Sequence, residues 1–353
     1  MNSNHEKGGG ARTSGAYRYR FTVFTPTFNR ADTLSRVYDS LSAQTFDDFE
    51  WLIIDDGSTD GTRKLVTSWQ HDSTFPIRYL HQPNAGKHLA HNWAVEEALG
   101  ELFLVLDSDD ACVPDALERF VFHWESIPAD QRERFSAVTA LCMNPDGQLV
   151  GDRFPKDVLD SDALELIYRY RVRGEKWGFH RTDVLRRFPF PLRPRLYIPE
   201  GVVWNAIARE YQTRYVNEML RIYFVGATGR DDQLIRRIPS GERAAGHALQ
   251  HESALNQEIN WFGAIPGAFF RSAIHYTRFS FLGHQGVAAQ GGRLTNPLAR
   301  LLWALMLPLG WVSYRIDLRR MAHIRRSGPP SYKHCLLYTS PSPRDGLLSR
   351  MPS

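Results

Sequence analysis

Four nearly all-apolar runs, each closed by a cluster of polar side chains, constrain this chain more than any other feature. They are "RFTVFTP" (20–26), "FEWLIID" (49–55), "PIRYLH" (76–81) and "ELFLVLD" (101–107), with a fifth, "FSAVTALC", at 135–142. Between the first four lie "ADTLSRVYDSLSAQ" (31–44), "DGTRKLVTSWQ" (60–70) and "GKHLAHNWAVEEALG" (86–100), where apolar residues recur at steps of three and four. That recurrence predicts helices, and strand-helix alternation predicts an α/β fold. Strands apolar at every position, not every second one, belong in a mostly parallel sheet covered by helices on both faces. Such sheets bind ligands outside the carboxyl ends of their strands, where these polar clusters stand.

The rest of the chain divides around this block. With 353 residues and 42% hydrophobic content there is room for a large domain and an appendage. Residues 1–18 read as a disordered tail without a signal-peptide core, and the main domain is expected over 19–225. Residues 226–295 read as a mixed, partly helical extension. Over 296–327 a dense apolar block, interrupted by Pro308 and Gly310, is followed by five arginines against one aspartate. The block is too short to span a bilayer, so two readings stand: a segment lying on anionic lipid, or a core helix followed by a solvated basic one. Residues 328–353 are expected to be an unstructured tail, in which "CLLYTSPSPRD" (335–345) resembles a translated sequencing adaptor and is set aside from fold reasoning. A net charge of +4 gives no bulk electrostatic case for nucleic acid. Three cysteines without metal-ligand spacing favour a reducing, cytoplasmic setting, with peripheral contact at the inner face of the plasma membrane if 296–327 binds lipid.

The polar clusters supply candidate chemistry. "VLDSDD" crowds Asp107, Asp109 and Asp110 at a strand end. A divalent cation, a proton or solvent must stabilise such crowding. Mg²⁺ takes one or two protein carboxylates and completes its shell with water and phosphate oxygens. Alone, the motif is weak, and a solvated loop capping the next helix is its commoner meaning. "TPTFNR" stops the first strand and sets Arg30 where a phosphate or an acidic loop could sit. "IIDDGSTDGT" delivers Asp55 and Asp56, and a carboxylate there can accept from a base N–H or a ribose hydroxyl. Nothing matches a Walker A loop or a G-x-G-x-x-G turn.

"VFTPTFNRADTL", "LSAQTFDDFEWLIIDDGSTDGT" and "NAGKHLAHNWAVEEALGELFLVLDSDD", in this order and spacing, resemble a family 2 glycosyltransferase of GT-A fold, densely over about 20–142 and loosely to about 225. The resemblance implies an inverting, Mg²⁺- or Mn²⁺-dependent enzyme that moves a sugar from a nucleotide-diphosphate donor to a glycan or glycolipid acceptor in cell-surface polysaccharide assembly. It implies that Pro26, Thr27, Phe28 and Arg30 form the first nucleotide-binding turn and that Asp56 recognises the base. Asp107 and Asp109 would hold the metal on the donor diphosphate, and Asn84, Gly86 and Lys87 would form a loop closing over the donor. Inversion needs a base for the acceptor hydroxyl, and Glu200 in "YIPEGVVWNAIA" is the best match. Glu200 also reads as a first-turn glutamate favoured by the helix dipole, and Lys87 as an ordinary surface lysine. "EKWGFHR" (175–181) resembles an acceptor-lining segment in which Trp177 stacks on a sugar and Gly178 permits close approach, although core packing accounts equally for the tryptophan. His180 has no second ligand at metal spacing and reads as structural. The rivals are a haloacid-dehalogenase-type phosphatase, whose D-x-D strand should come first and not fourth, and a GT-A-like domain that binds sugar or lipid without turnover.

Overall fold

The computed structural model describes residues 17–193, 197–224 and 242–327. The tails and most of the link at 225–241, including the adaptor-like stretch and Cys335, lie outside the described residues. Ten strands build one sheet: β1 (Tyr19–Thr27), β2 (Phe49–Asp55), β3 (Ile77–His81), β4 (Gly100–Val105), β5 (Ala111–Cys112), β6 (Phe135–Met143), β7 (Leu149–Val150), β8 (Val158–Ser161), β9 (Lys176–Arg181) and β10 (Gln212–Ile222). The order is β3-β2-β1-β4-β9-β6-β10-β5, with β7 on β6 and β8 on β10. Strands β1 to β4 are mutually parallel, β10 runs parallel to β6, and β9 lies antiparallel between β4 and β6. The sheet is therefore mostly parallel in its main strands, and helices pack on both of its faces.

Alternation along the strands sorts the core into two layers. Phe21, Val23, Trp51, Ile53, Leu102 and Leu104 point to the side covered by α1 (Leu34–Ser42), α2 (Thr62–Asp72) and α4 (Ala116–Glu125). Phe24, Leu52, Ile54 and Phe103 point to the side of α3 (Lys87–Glu97), α6 (Thr182–Arg187) and α7 (Gly201–Ala208); α5 (Ala163–Tyr168) lies beside α7. α1 shows why the periodic segments fold as they do, since its buried residues Leu34, Val37 and Leu41 follow helical spacing. Glu50 in β2 is fully buried, paired with Arg78 at 3.2 Å and accepting from Thr22 Oγ1 at 2.7 Å and Leu99 N at 2.9 Å. Its partners offset the cost of removing a carboxylate from water.

The extension at 242–327 is helical. α8 (Glu242–Gln257), α9 (Pro266–Leu282), α10 (Val287–Arg293) and α11 (Pro297–Ser327) share a core that includes Leu255, Phe269, Tyr276, Leu282 and Leu302. Buried Glu258 ties them to the first domain, accepting from Tyr168 Oη at 2.5 Å on α5 and Asn205 Nδ2 at 2.9 Å on α7. Pro308 does not interrupt the last helix as expected. It lies inside α11, exposed, and the 31-residue helix runs through it. One intrahelical bond is lost there, and packing of α11 along α9 compensates.

The segment 175–181 corrects a second expectation. It is strand β9, and Trp177 is 3% exposed, packed at 5.2 Å against Phe120 with its indole N–H donating to the Val105 carbonyl at 2.6 Å. No ring face remains for a sugar. Gly178 serves the sheet as well, because a Cβ there would stand 2.1 Å from the Val138 carbonyl oxygen of the neighbouring strand. We expect Gly178→Ala to cost about 3 kcal/mol or more of folding stability, measured by urea denaturation; a variant of wild-type stability would contradict this placement.

Candidate active site

Every element of the cleft ends at the carboxyl edge of the parallel strands, for the reason the sequence suggested. β1 delivers Pro26 and Thr27, then Phe28, which is 47% exposed. Thr27 is buried, and its Oγ1 has no hydrogen-bond partner among the described residues. Arg30 follows, its guanidinium 3.7 Å from the Asp109 carboxylate. β2 delivers Asp56, whose carboxylate is engaged by the next loop: Oδ1 accepts from Gln82 Nε2 at 2.6 Å and Ala85 N at 2.8 Å, and Oδ2 from Gly86 N at 2.9 Å. Asp56 thus fixes the segment that carries Asn84, Gly86 and Lys87. Gly86 has φ +107°, a left-handed conformation that favours glycine and turns the chain into α3.

Lys87, the first residue of α3, joins two motifs far apart in sequence. Its ammonium stands 2.9 Å from Asp107 Oδ1 and 3.0 Å from Glu200 Oε1. Glu200 precedes α7 at its N-cap position without a side-chain capping bond, and Trp204 one turn later donates its indole N–H to Oε2 at 3.4 Å. The other Asp107 oxygen receives Arg221 Nη2 from β10 at 2.9 Å, and the same guanidinium is ion-paired with Asp110. Asp110 is 1% exposed and also accepts the Phe224 backbone N–H at 3.0 Å. Burial alone would raise Asp107, but Lys87 and Arg221 overcome it and hold the carboxyl well below the usual range. Glu200 is likewise lowered, chiefly by Lys87 against its burial. Both are therefore ionised at neutral pH. For Lys87 the two carboxylates overcome desolvation and keep the ammonium charged.

Residues 22–147 match the family model described as glycosyl transferase family 2. That stretch, well under half of the chain, is similar to the family's domain. A GalNAc(5)-diNAcBac-PP-undecaprenol beta-1,3-glucosyltransferase of Campylobacter jejuni is 26% identical over 275 residues, 74% of this chain and 84% of that one. S. aureus TarS 1–349 in complex with UDP-GlcNAc superposes with a TM-score of 0.55 at 16% identity, over 88% of this chain and 92% of that one. The mannosyltransferase PcManGT of Pyrobaculum calidifontis, in complex with GDP-Man and Mn²⁺, gives 0.52 at 19% identity, over 88% of each chain. These likenesses show the GT-A fold. Two curated relatives at 38% and 37% identity are matched over only 32% and 16% of their own length.

The structure brings Lys87 and Asp107, inside the matched stretch, together with Glu200, beyond it, and it sets Arg30 beside Asp109. Trp177 and Gly178 belong to the sheet instead. Sequence reasoning missed Arg221, although a lone charge in the apolar strand "LRIYF" was a signal for it. It gave no role to Asp110. It also missed the aromatic wall behind Glu200. There His180 stacks on Trp204 with 4.7 Å between rings, and His91 lies among Phe24, Phe103, Phe190 and Trp204. Neither ring nitrogen of His91 has a hydrogen-bond partner among the described residues, and burial pushes its pKa down to about 3.

His91 therefore stays neutral in the folded protein while its unfolded counterpart takes up a proton below about pH 6.5. Protons then favour the unfolded chain, and stability falls as pH drops from about 6.5 toward 3. We expect the loss attributable to His91 at pH 5 to be on the order of 1–2 kcal/mol. Denaturation of wild type and His91→Phe at pH 7 and pH 5 measures it, and an equal acid loss in both proteins would contradict the assignment.

Proposed function

We propose that this protein is an inverting glycosyltransferase that moves a sugar from a nucleotide-diphosphate donor to a hydroxyl of a glycan or glycolipid acceptor. The observation that carries the reading is the Lys87 bridge. It holds Asp107, at the donor-diphosphate end of the cleft, within one side chain of Glu200, the carboxylate that would face the acceptor. Attack on an anomeric carbon opposite a leaving diphosphate needs these two functions a short distance apart.

In this reading Pro26, Thr27, Phe28 and Arg30 line the nucleotide, and the orphan Thr27 hydroxyl is a donor available to it. Asp56 reads the base while continuing to anchor the 82–86 loop, so loop position and nucleotide occupancy are coupled. Glu200, ionised and oriented by Lys87 and Trp204, accepts the proton of the acceptor hydroxyl as the new bond forms. Lys87 is half exposed and can leave Asp107 for the diphosphate oxygens.

A divalent cation fits the donor set. No group of three or more His, Cys, Asp or Glu among the described residues forms a complete metal cage. Asp107 and Asp109 instead offer two hard oxygen donors, as many as Mg²⁺ or Mn²⁺ usually takes when phosphates supply the rest. Bound there, the ion would neutralise charge building on the leaving diphosphate. Support for donor and acceptor classes comes from the relatives' printed names: UDP-GlcNAc with TarS, GDP-Man and Mn²⁺ with PcManGT, and an undecaprenol-linked glycan for the Campylobacter enzyme. A haloacid-dehalogenase mechanism is disfavoured, because Asp107 follows β4, after three other strands, and not the strand that opens the domain.

The test is a donor panel of UDP- and GDP-sugars, with and without Mn²⁺, read by nucleotide release and thermal midpoint. We expect one nucleotide to raise the midpoint in the presence of Mn²⁺. Asp109→Ala should remain folded and lower turnover by about a hundredfold or more. Unchanged turnover with chelator present would overturn the metal role. Nucleotide binding without transfer to any lipid-linked or glycan acceptor would favour the non-catalytic binding domain.

A further inference from the structure

Helix α11 leaves one face bare. Leu298, Leu301, Leu305, Leu309, Val312 and Ile316 are all exposed, Leu301 and Leu305 each at 57%. Their steps of three and four place them in a single stripe, about 27 Å long at the helical rise. An adjoining face of the helix is occupied: Ala299 and Leu302 are buried in the core shared with α9. A stripe of this size on a soluble surface marks an interaction site.

Charge identifies what covers it. The only acid in α11 is Asp317, buried and held by Arg278 of α9 at 2.5 and 3.0 Å. It therefore contributes no negative charge to the surface. Arg315, Arg319 and Arg320 are exposed beyond the apolar stretch, and Trp311, 48% exposed, carries the Arg315 guanidinium 5.4 Å from its ring centre. A second copy of this helix would bring no carboxylate to these arginines. No helix among the described residues is long and apolar enough to cross a membrane. An apolar stripe, an amphipathic indole and unpaired cationic surface suit a helix lying in the headgroup plane of an anionic bilayer.

We propose that the protein docks on anionic membrane through the exposed face of α11, with the stripe in the acyl boundary and Arg315, Arg319 and Arg320 on lipid phosphates. This goes beyond the catalytic reading and does not depend on it, because the readout is binding and not turnover. The experiment is flotation of the full chain with phosphatidylcholine vesicles, pure or containing about a third phosphatidylglycerol, alongside sedimentation analysis of its oligomeric state. The expected result is binding to the anionic vesicles that weakens with salt. Binding should drop by about tenfold or more in Leu305→Glu/Leu309→Glu. Arg319→Gln/Arg320→Gln should lose the preference for anionic lipid. Since all four side chains are exposed, circular dichroism should show both variants folded. Failure of the wild-type chain to float with anionic vesicles at low salt would overturn the proposal. So would wild-type binding by both variants, or a dimer that Leu305→Glu/Leu309→Glu converts to monomer.

Discussion

The buried guanidinium of Arg221 is the interaction on which the rest of the cleft depends. Asp107 and Asp110 leave β4 as like charges three residues apart, and a single loop could not hold both ionised without a cation. Arg221 reaches them from β10, more than a hundred residues later, and pairs with both. Breaking such a pair is costly because it strands buried charge. The second half of the sheet is thereby locked to the nucleotide-binding half at the point where both end.

From that anchor the far side of the cluster is built. β10 is preceded by α7, whose first turn presents Glu200. Lys87 then closes the circuit from the donor side. Four parts of the chain meet in one cluster of two cations and three carboxylates, in which the lysine is half exposed and the arginine buried. A donor diphosphate would compete for that lysine, which links donor arrival to the freedom of Glu200.

Much of this was legible in the residues. The all-apolar runs identified β1, β2, β3, β4 and β6, and their polar ends located the cleft, because both follow from local hydrophobic pattern and the geometry of parallel sheets. β9 was not legible. "KWGFHR" is short and mixed in polarity, and its antiparallel insertion between β4 and β6 is decided by long-range pairing, so the residues alone left Trp177 open between a sugar-stacking ring and a core one. The continuity of α11 through Pro308 was hidden for the same reason: a local helix breaker is overruled by packing on α9 that no window of sequence contains. Lys87 and Glu200 were each ambiguous alone, and their pairing across 113 residues is one that no window of sequence contains.

The most direct test is calorimetric binding of the donor nucleotide to Glu200→Gln, paired with its turnover on the same donor. The amide keeps an oxygen for Lys87, so the cluster should persist while the base is lost. The account predicts nucleotide affinity within about twofold of wild type and turnover lower by about a thousandfold. Turnover near the wild-type rate in a variant that binds nucleotide normally would contradict it.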